Sequence, residues 1–201
     1  MFGKLFNKNK PAPEPAPQPK AFEVLWLEAL EERFGAVSTV REMQSAGKPK
    51  IHVFYFEALP EAGMLTAVTC GLSNAAHPDW KFGRPELIVT MESANPAWGL
   101  AAGYFASTFF NEKRFSYGDM FKLDDPISDE GEMNAYLVFA PSFLDKEQAR
   151  FELPDRTIHL AGMYPVYDEE IAIYDRIGLK DFWHAEGFEM YNPRRGRVRV
   201  G

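Results

Sequence analysis

A single cysteine, Cys70, stands among the 201 residues. No disulfide can therefore close within one chain, and nothing points to an oxidising compartment. Long apolar runs are missing too. No stretch of about eighteen apolar residues marks a membrane span, and no signal-type apolar segment opens the sequence. These absences lead us to expect a soluble, cytoplasmic protein with no membrane span. No glycine-rich loop follows a strand and opens a helix, so nucleotide binding has no support. The four histidines, His52, His77, His159 and His184, form no His-x-x-His or Glu-x-x-His pair, and Cys70 has no second cysteine with which to share zinc. No metal and no cofactor is expected from this set.

What the chain does have is apolar and acidic residues. An apolar share of 46% and an aromatic share of 14% suffice to bury a real core, so the body is not disordered. The length suits one large domain, with or without an appendage. The formal charge of -7 is unevenly spread: the first twenty residues carry +3 and the last nine +4, and subtracting both from -7 leaves -14 for residues 21–192. Such a body repels nucleic-acid phosphates and attracts basic surfaces. An acidic surface also serves simply to keep a soluble protein dispersed.

Residues 7–20 (NKNKPAPEPAPQPK) hold five prolines. Proline removes backbone donors and favours extended chain, so this stretch reads as a semi-stiff linker outside the core, removable by limited proteolysis. Ahead of it lies MFGKLF, short, apolar and basic, which suits a membrane surface or a partner groove but buries too little to anchor alone. The division expected is a flexible Pro-rich basic segment over 1–20 and one folded domain over 21–201.

Phe22, Leu25, Trp26, Ala29, Leu30 and Phe34 recur at helical spacing, with Gly35 as the stop. Residues 51–59 (IHVFYFEAL) read as a central strand and, through the turn at 60–63, form a hairpin with a strand over 64–70. Further strands are expected at 85–91, 134–140 and 157–166. Val53, Tyr55, Leu65, Ala67, Leu87, Val89, Leu137 and Phe139 are the expected core. Asn95-Pro96 opens a helix running to about Phe110, in which Gly99, Ala101, Ala102 and Gly103 let it sit close to a sheet. A last helix starts at Asp168 and stops at Gly178, followed by a short one over 180–186. The order predicts α+β, a mostly antiparallel mixed sheet packed with helices.

The chemistry in reach is thin. Gly71-Leu72-Ser73 resembles a nucleophile elbow, but His77-Pro78 interrupts where the elbow's helix is needed, so Ser73 reads as a turn residue. Cys70, His52 and His77 can still meet at one edge of adjacent strands, which keeps a small metal-dependent or serine hydrolase open as an alternative. The acidic pairs Asp124-Asp125, Asp129-Glu130 and Glu169-Glu170 sit in loops or a helix's first turn and read as solvated surface, not as an acid-base couple.

Several short pieces recur in a telling order: the Gly71-Leu72-Ser73 turn, Pro85-Glu86-Leu87, Pro96-Ala97-Trp98, Phe115-Ser116-Tyr117-Gly118-Asp119 and Ala140-Pro141. Together, from about Ile51 to Val166, they resemble the Suppressor of fused domain. The resemblance implies a compact α+β scaffold that binds proteins and is not an enzyme. In animal members a Phe-x-x-x-Asp pair helps hold an extended peptide, and it falls here on Phe115 and Asp119. The family's tyrosine eight residues earlier falls on Ser107. Single-domain bacterial members are suspected immunity proteins, and an acidic body fits an inhibitor of a basic toxin. The expected partner surface is Phe115 and Asp119, extended by Asp124, Asp125, Asp129 and Glu130; a regulatory scaffold with another ligand is the further alternative.

Overall fold

The computed structural model describes residues 20–81 and 83–199. The expected Pro-rich segment therefore lies, but for Lys20, outside the described residues. Three helices, α1 (Phe22–Phe34), α2 (Ala97–Thr108) and α3 (Glu169–Trp183), surround one eight-stranded sheet. Its strands are β1 (Thr39–Met43), β2 (Ile51–Glu57), β3 (Leu65–Cys70), β4 (Arg84–Met91), β5 (Met120–Lys122), β6 (Ala135–Phe139), β7 (Arg150–Glu152) and β8 (Thr157–Val166). They lie in the order β1-β2-β3-β4-β8-β6-β5, with β7 paired to β8. All neighbours are antiparallel except β4 and β8. The α+β architecture read from the sequence is thus present.

Strand alternation sorts the side chains into two layers. On β8, Ile158, Leu160, Tyr164 and Val166 point to the face covered by α1 and α3, while Ala161 and Met163 point to α2. Trp26 of α1 is fully buried, packs edge-on against Phe151 at 4.8 Å and donates from Nε1 to the Thr69 carbonyl at 2.9 Å. The small residues of α2 serve packing: a Cβ on Gly99 would stand 2.4 Å from that of Ala67. The helix therefore lies against β2 and β3 at a distance only glycine permits. Ahead of it Asn95 turns the chain into the helix, its Oδ1 accepting from the Ala97 amide at 3.0 Å. Gly178, at φ 78°, breaks α3 at the position the sequence marks as a stop. Of the expected core, Val53, Tyr55, Ala67, Leu87, Val89 and Leu137 are buried; Leu65 and Phe139 are partly so.

One member of an acidic pair, Glu170, departs from the expected solvated surface, while Glu169 is exposed as expected. Glu170 is buried and binds the buried guanidinium of Arg195 through both oxygens, at 2.9 and 2.5 Å. Its carboxylate also accepts from the amides of Val198 and Tyr167. This pairs the two charges, though among the described residues the buried Arg195 Nε has no partner, and it straps the last of those residues to the start of α3. Part of the basic character of the last nine residues is thereby neutralised inside the fold.

Candidate functional site

The Gly71-Leu72-Ser73 turn and the Pro85-Glu86-Leu87 strand start are one construction. Glu86 is completely buried, and its Oε1 accepts from the amides of Gly71 and Ser73, each at 2.9 Å, while Oε2 accepts from the Thr69 hydroxyl at 2.7 Å. On the turn's outer side, Arg84 and Arg156 donate to the Ser73 carbonyl at 2.9 and 3.1 Å. Burial pushes the Glu86 carboxyl above its usual range, against the pull of the three donors. Ser73 is fully buried, so its hydroxyl is closed to substrate. Cys70 lies directly opposite His52 in register, but its thiol is buried and held protonated by desolvation. His52 is hydrogen-bonded to Glu42 at 3.1 Å, and His77 sits beside Trp80 in another part of the molecule. The three are not brought together, and no metal-binding group of His, Cys, Asp or Glu occurs among the described residues.

The Phe115–Asp119 motif is a device for delivering β5 to the sheet edge. Asn111 and Phe115 take positive φ, 65° and 53°. The Asn111 side chain accepts from the Ala76 amide at 2.7 Å, and the Phe115 ring stacks on Phe121 at 4.7 Å, so burial offsets the strain. Gly118 (φ 91°) needs to be glycine: a Cβ there would stand 2.6 Å from the Tyr174 hydroxyl. Asp119 Oδ2 accepts from the Ser116 amide at 2.8 Å, which closes the turn. Its Oδ1 faces the Arg114 guanidinium at 3.8 Å.

The expected surface residues thus divide. Phe115 is a correction: at 3% exposure its ring belongs to the core and is not displayed. Glu130 is half-buried, and its Oε2 accepts from the Ser93 hydroxyl at 2.5 Å and Trp98 Nε1 at 3.0 Å, tying the loop to the start of α2. Asp129 is exposed but accepts from Asn95 Nδ2 at 2.8 Å. Asp119 is partly exposed, and Asp124 and Asp125 are fully on the surface. Ser107, at the position of the family's tyrosine, is buried, donating to the Pro49 carbonyl at 2.7 Å and accepting from the Ser45 amide at 2.9 Å. No side chain at that position meets solvent.

Two grooves flank the outer edge of β5 on the α2 side. One, about 480 Å³, is polar and holds His77, Asp79, Glu112, Lys113, Arg114 and Asp119 against Phe109 and Phe121. The other, about 440 Å³, is lined by Met43, Leu100, Tyr104, Leu123, Asp124, Asp125 and Ile127. Among the described residues β5 pairs only with β6. The Asp119 carbonyl accepts from the Val138 amide and the Leu123 amide donates to Asn134, so 119, 121 and 123 turn their backbone groups inward. By alternation those of Met120 and Lys122 point to the open edge. Sequence patterning does not reveal this edge, because three residues give no period to read.

An α+β domain with one helix-sandwiched sheet, an open edge and carboxylates beside it has the form of a binding module. The Suppressor of fused protein family model matches residues 47–196, and the chain belongs to that family. No curated protein matches it in sequence. Among solved structures, a Suppressor of fused homologue from Neisseria gonorrhoeae is similar at 12% identity and TM-score 0.67, covering 90% of this chain and 98% of that one. A chain of the Sufu–Fu complex aligns with TM-score 0.59 and 12% identity over 91% of this chain and 93% of that one. Drosophila Suppressor of fused aligns with TM-score 0.51 and 12% identity over 75% of this chain but only 43% of its own length. At this identity the likeness is one of fold. No helix among the described residues is long and apolar enough to cross a membrane.

Proposed function

We propose that the domain is a non-catalytic protein-binding module that takes an extended segment of a basic partner along the outer edge of β5. The open edge carries this reading: the outward backbone groups of Met120 and Lys122 are positioned to pair with an added strand. Asp119, Asp124, Asp125 and Asp129 would supply charge for a cationic partner, chiefly by speeding encounter. Phe115 and Glu130 would contribute by holding the edge in place. The complex named for the related Sufu protein, with Fu, agrees with a partner-holding role. An immunity protein that neutralises a basic toxin in the cytoplasm is the particular form we favour, since the body from residue 21 to 192 carries -14. Co-expression with the product of an adjoining toxin gene should restore growth, and Asp119→Arg should abolish the rescue while the protein stays folded. Rescue by the folded variant at full strength would place the binding surface elsewhere.

A further inference from the structure

The chain leaves the sheet at the end of β6 and returns to it as β7, so two strands share one edge of β8. β6 pairs with residues 162–166 and β7 with 157–159, which leaves the edge around Leu160 between them. A cavity of about 330 Å³ opens there. That is the small end of the range for small-molecule sites, about 300–1,000 Å³. Ala140, Pro141, Leu144, Ala149 and Leu160 make its wall apolar, and Tyr117, Asp145 and Lys146 complete it. It lies at the seam between two cores. Leu144, Ala149 and Leu160 pack with α1, while the exposed Tyr117 ring rests edge-on against Phe139 of the α3 cluster at 5.3 Å.

The backbone leaves an acceptor facing this space. The Leu160 amide donates to the Ala149 carbonyl at 2.8 Å, so both backbone groups of Leu160 turn toward the side of β6 and β7. In an antiparallel pair the Ala149 amide would return the bond, but it donates to the Asp145 carbonyl at 2.9 Å. The β6 register, continued past Phe139 and Gly162, sets Pro141 against Leu160, and proline has no amide hydrogen. Among the described residues neither strand therefore meets the Leu160 carbonyl, although Leu160 is buried. A buried acceptor left in this way favours a ligand that brings a donor.

The charges at the cavity are not equal. The Asp145 carboxylate is turned into its own loop, its Oδ1 accepting from the Gln148 amide at 2.7 Å. Lys146 is exposed and enters no ion pair among the described residues. His159, next to Leu160 on β8, turns its ring by alternation to the far face, against Gly83. The cavity thus offers an apolar wall, an aromatic ring, one inward acceptor and one uncommitted cation.

We propose that this cavity binds a small aromatic carboxylate with a ring N–H, of the indole-3-acetate type. The ring lies between the apolar wall and Tyr117, its N–H donates to the Leu160 carbonyl, and its carboxylate meets Lys146. The site goes beyond the partner reading, and nothing in it depends on a segment at the edge of β5.

Indole-3-acetate titrated into the isotope-labelled full chain should bind saturably, shifting the amide resonances of residues 144–149 and 160–161. Benzofuran-3-acetate has the same shape with a ring oxygen in place of the N–H, and should bind about tenfold more weakly, the effect of one hydrogen bond. Lys146→Gln changes an exposed side chain and should weaken indole-3-acetate about threefold. Tryptamine, with an ammonium in place of the carboxylate, should bind more weakly than indole-3-acetate. No saturable binding at millimolar concentration, or shifts confined to other residues, overturns the proposal. So does equal affinity for benzofuran-3-acetate, an unchanged affinity with Lys146→Gln, or tighter binding of tryptamine, which would give the charge contact to Asp145. Tighter binding of N-acetyltryptophanamide would make a tryptophan of another protein the occupant and overturn it equally. All these outcomes leave the module reading standing.

Discussion

The carboxylate that holds the Gly71–Ser73 turn and those beside β5 do opposite work. Glu86 is sealed from water and gives both oxygens to the backbone and hydroxyl donors of its own fold. Asp124 and Asp125 face solvent above an apolar groove, and Asp119 divides its oxygens between a turn amide and a loosely held guanidinium. A buried carboxylate is kept only where its donors are supplied, whereas an exposed one is nearly neutral for stability and free to meet a partner. The comparison separates motif residues that build the scaffold from those that face outward.

The largest effect is expected at the sealed end. Glu86→Ala leaves two amides and the Thr69 hydroxyl facing a cavity and should cost about 3 kcal/mol or more in urea unfolding. A loss below about 1 kcal/mol would mean that water replaces the carboxylate and that the turn is not held as described. Gly118→Ala comes next, at about 1–3 kcal/mol from the left-handed backbone and the Tyr174 hydroxyl, with β5 loosened ahead of global unfolding in amide exchange.

The pH dependence sharpens the same contrast. Because burial raises the Glu86 carboxyl, the folded chain holds that proton more tightly than the unfolded one. Its contribution to stability should therefore be fullest at acid pH and fall as pH rises from the ordinary glutamate range through the raised folded value. Glu86→Gln should flatten that slope; an unchanged slope would assign it to another group. At the exposed end, Asp119→Ala should cost about 1 kcal/mol for the lost turn bond. The double change of Asp124 and Asp125 to Asn should leave stability within about 0.5 kcal/mol. The latter should nonetheless slow association with a basic partner several-fold at low salt and make it less salt-sensitive. A destabilised double variant would show that the rim also belongs to the scaffold.

The strongly periodic segments are legible in the amino-acid order alone: α1, β2, β3, β4, α2, β6, β8 and the break at Gly178 follow from spacing and stop residues. β1, β5 and β7 are not, being edge or short strands in which exposed Thr39, Arg41 and Glu42 look like loop. The order of the family pieces points to the right scaffold, but not to what each residue does in it. Phe115 reads as a surface anchor until its positive φ turns the ring inward. Glu130 and Glu170 look like any acid in a polar stretch, because their donors come from Trp98, Ser93 and Arg195, far away in sequence.

The lone parallel pairing in the sheet bears on how the chain is made. β4 stands near the middle of the sheet, yet its neighbour on one side, β8, is synthesised only after β5, β6 and β7. A ribosome that has delivered β1 to β4 and α2 has made a meander whose last strand still shows a bare edge, with Ile88 lacking the β8 neighbours that later cover it. Closure of so long a loop is slow, and an open strand edge is a template for pairing with another nascent chain. Translation itself thus imposes an interval of aggregation risk, which ends when the segment around Gly162 emerges and inserts between β4 and β6.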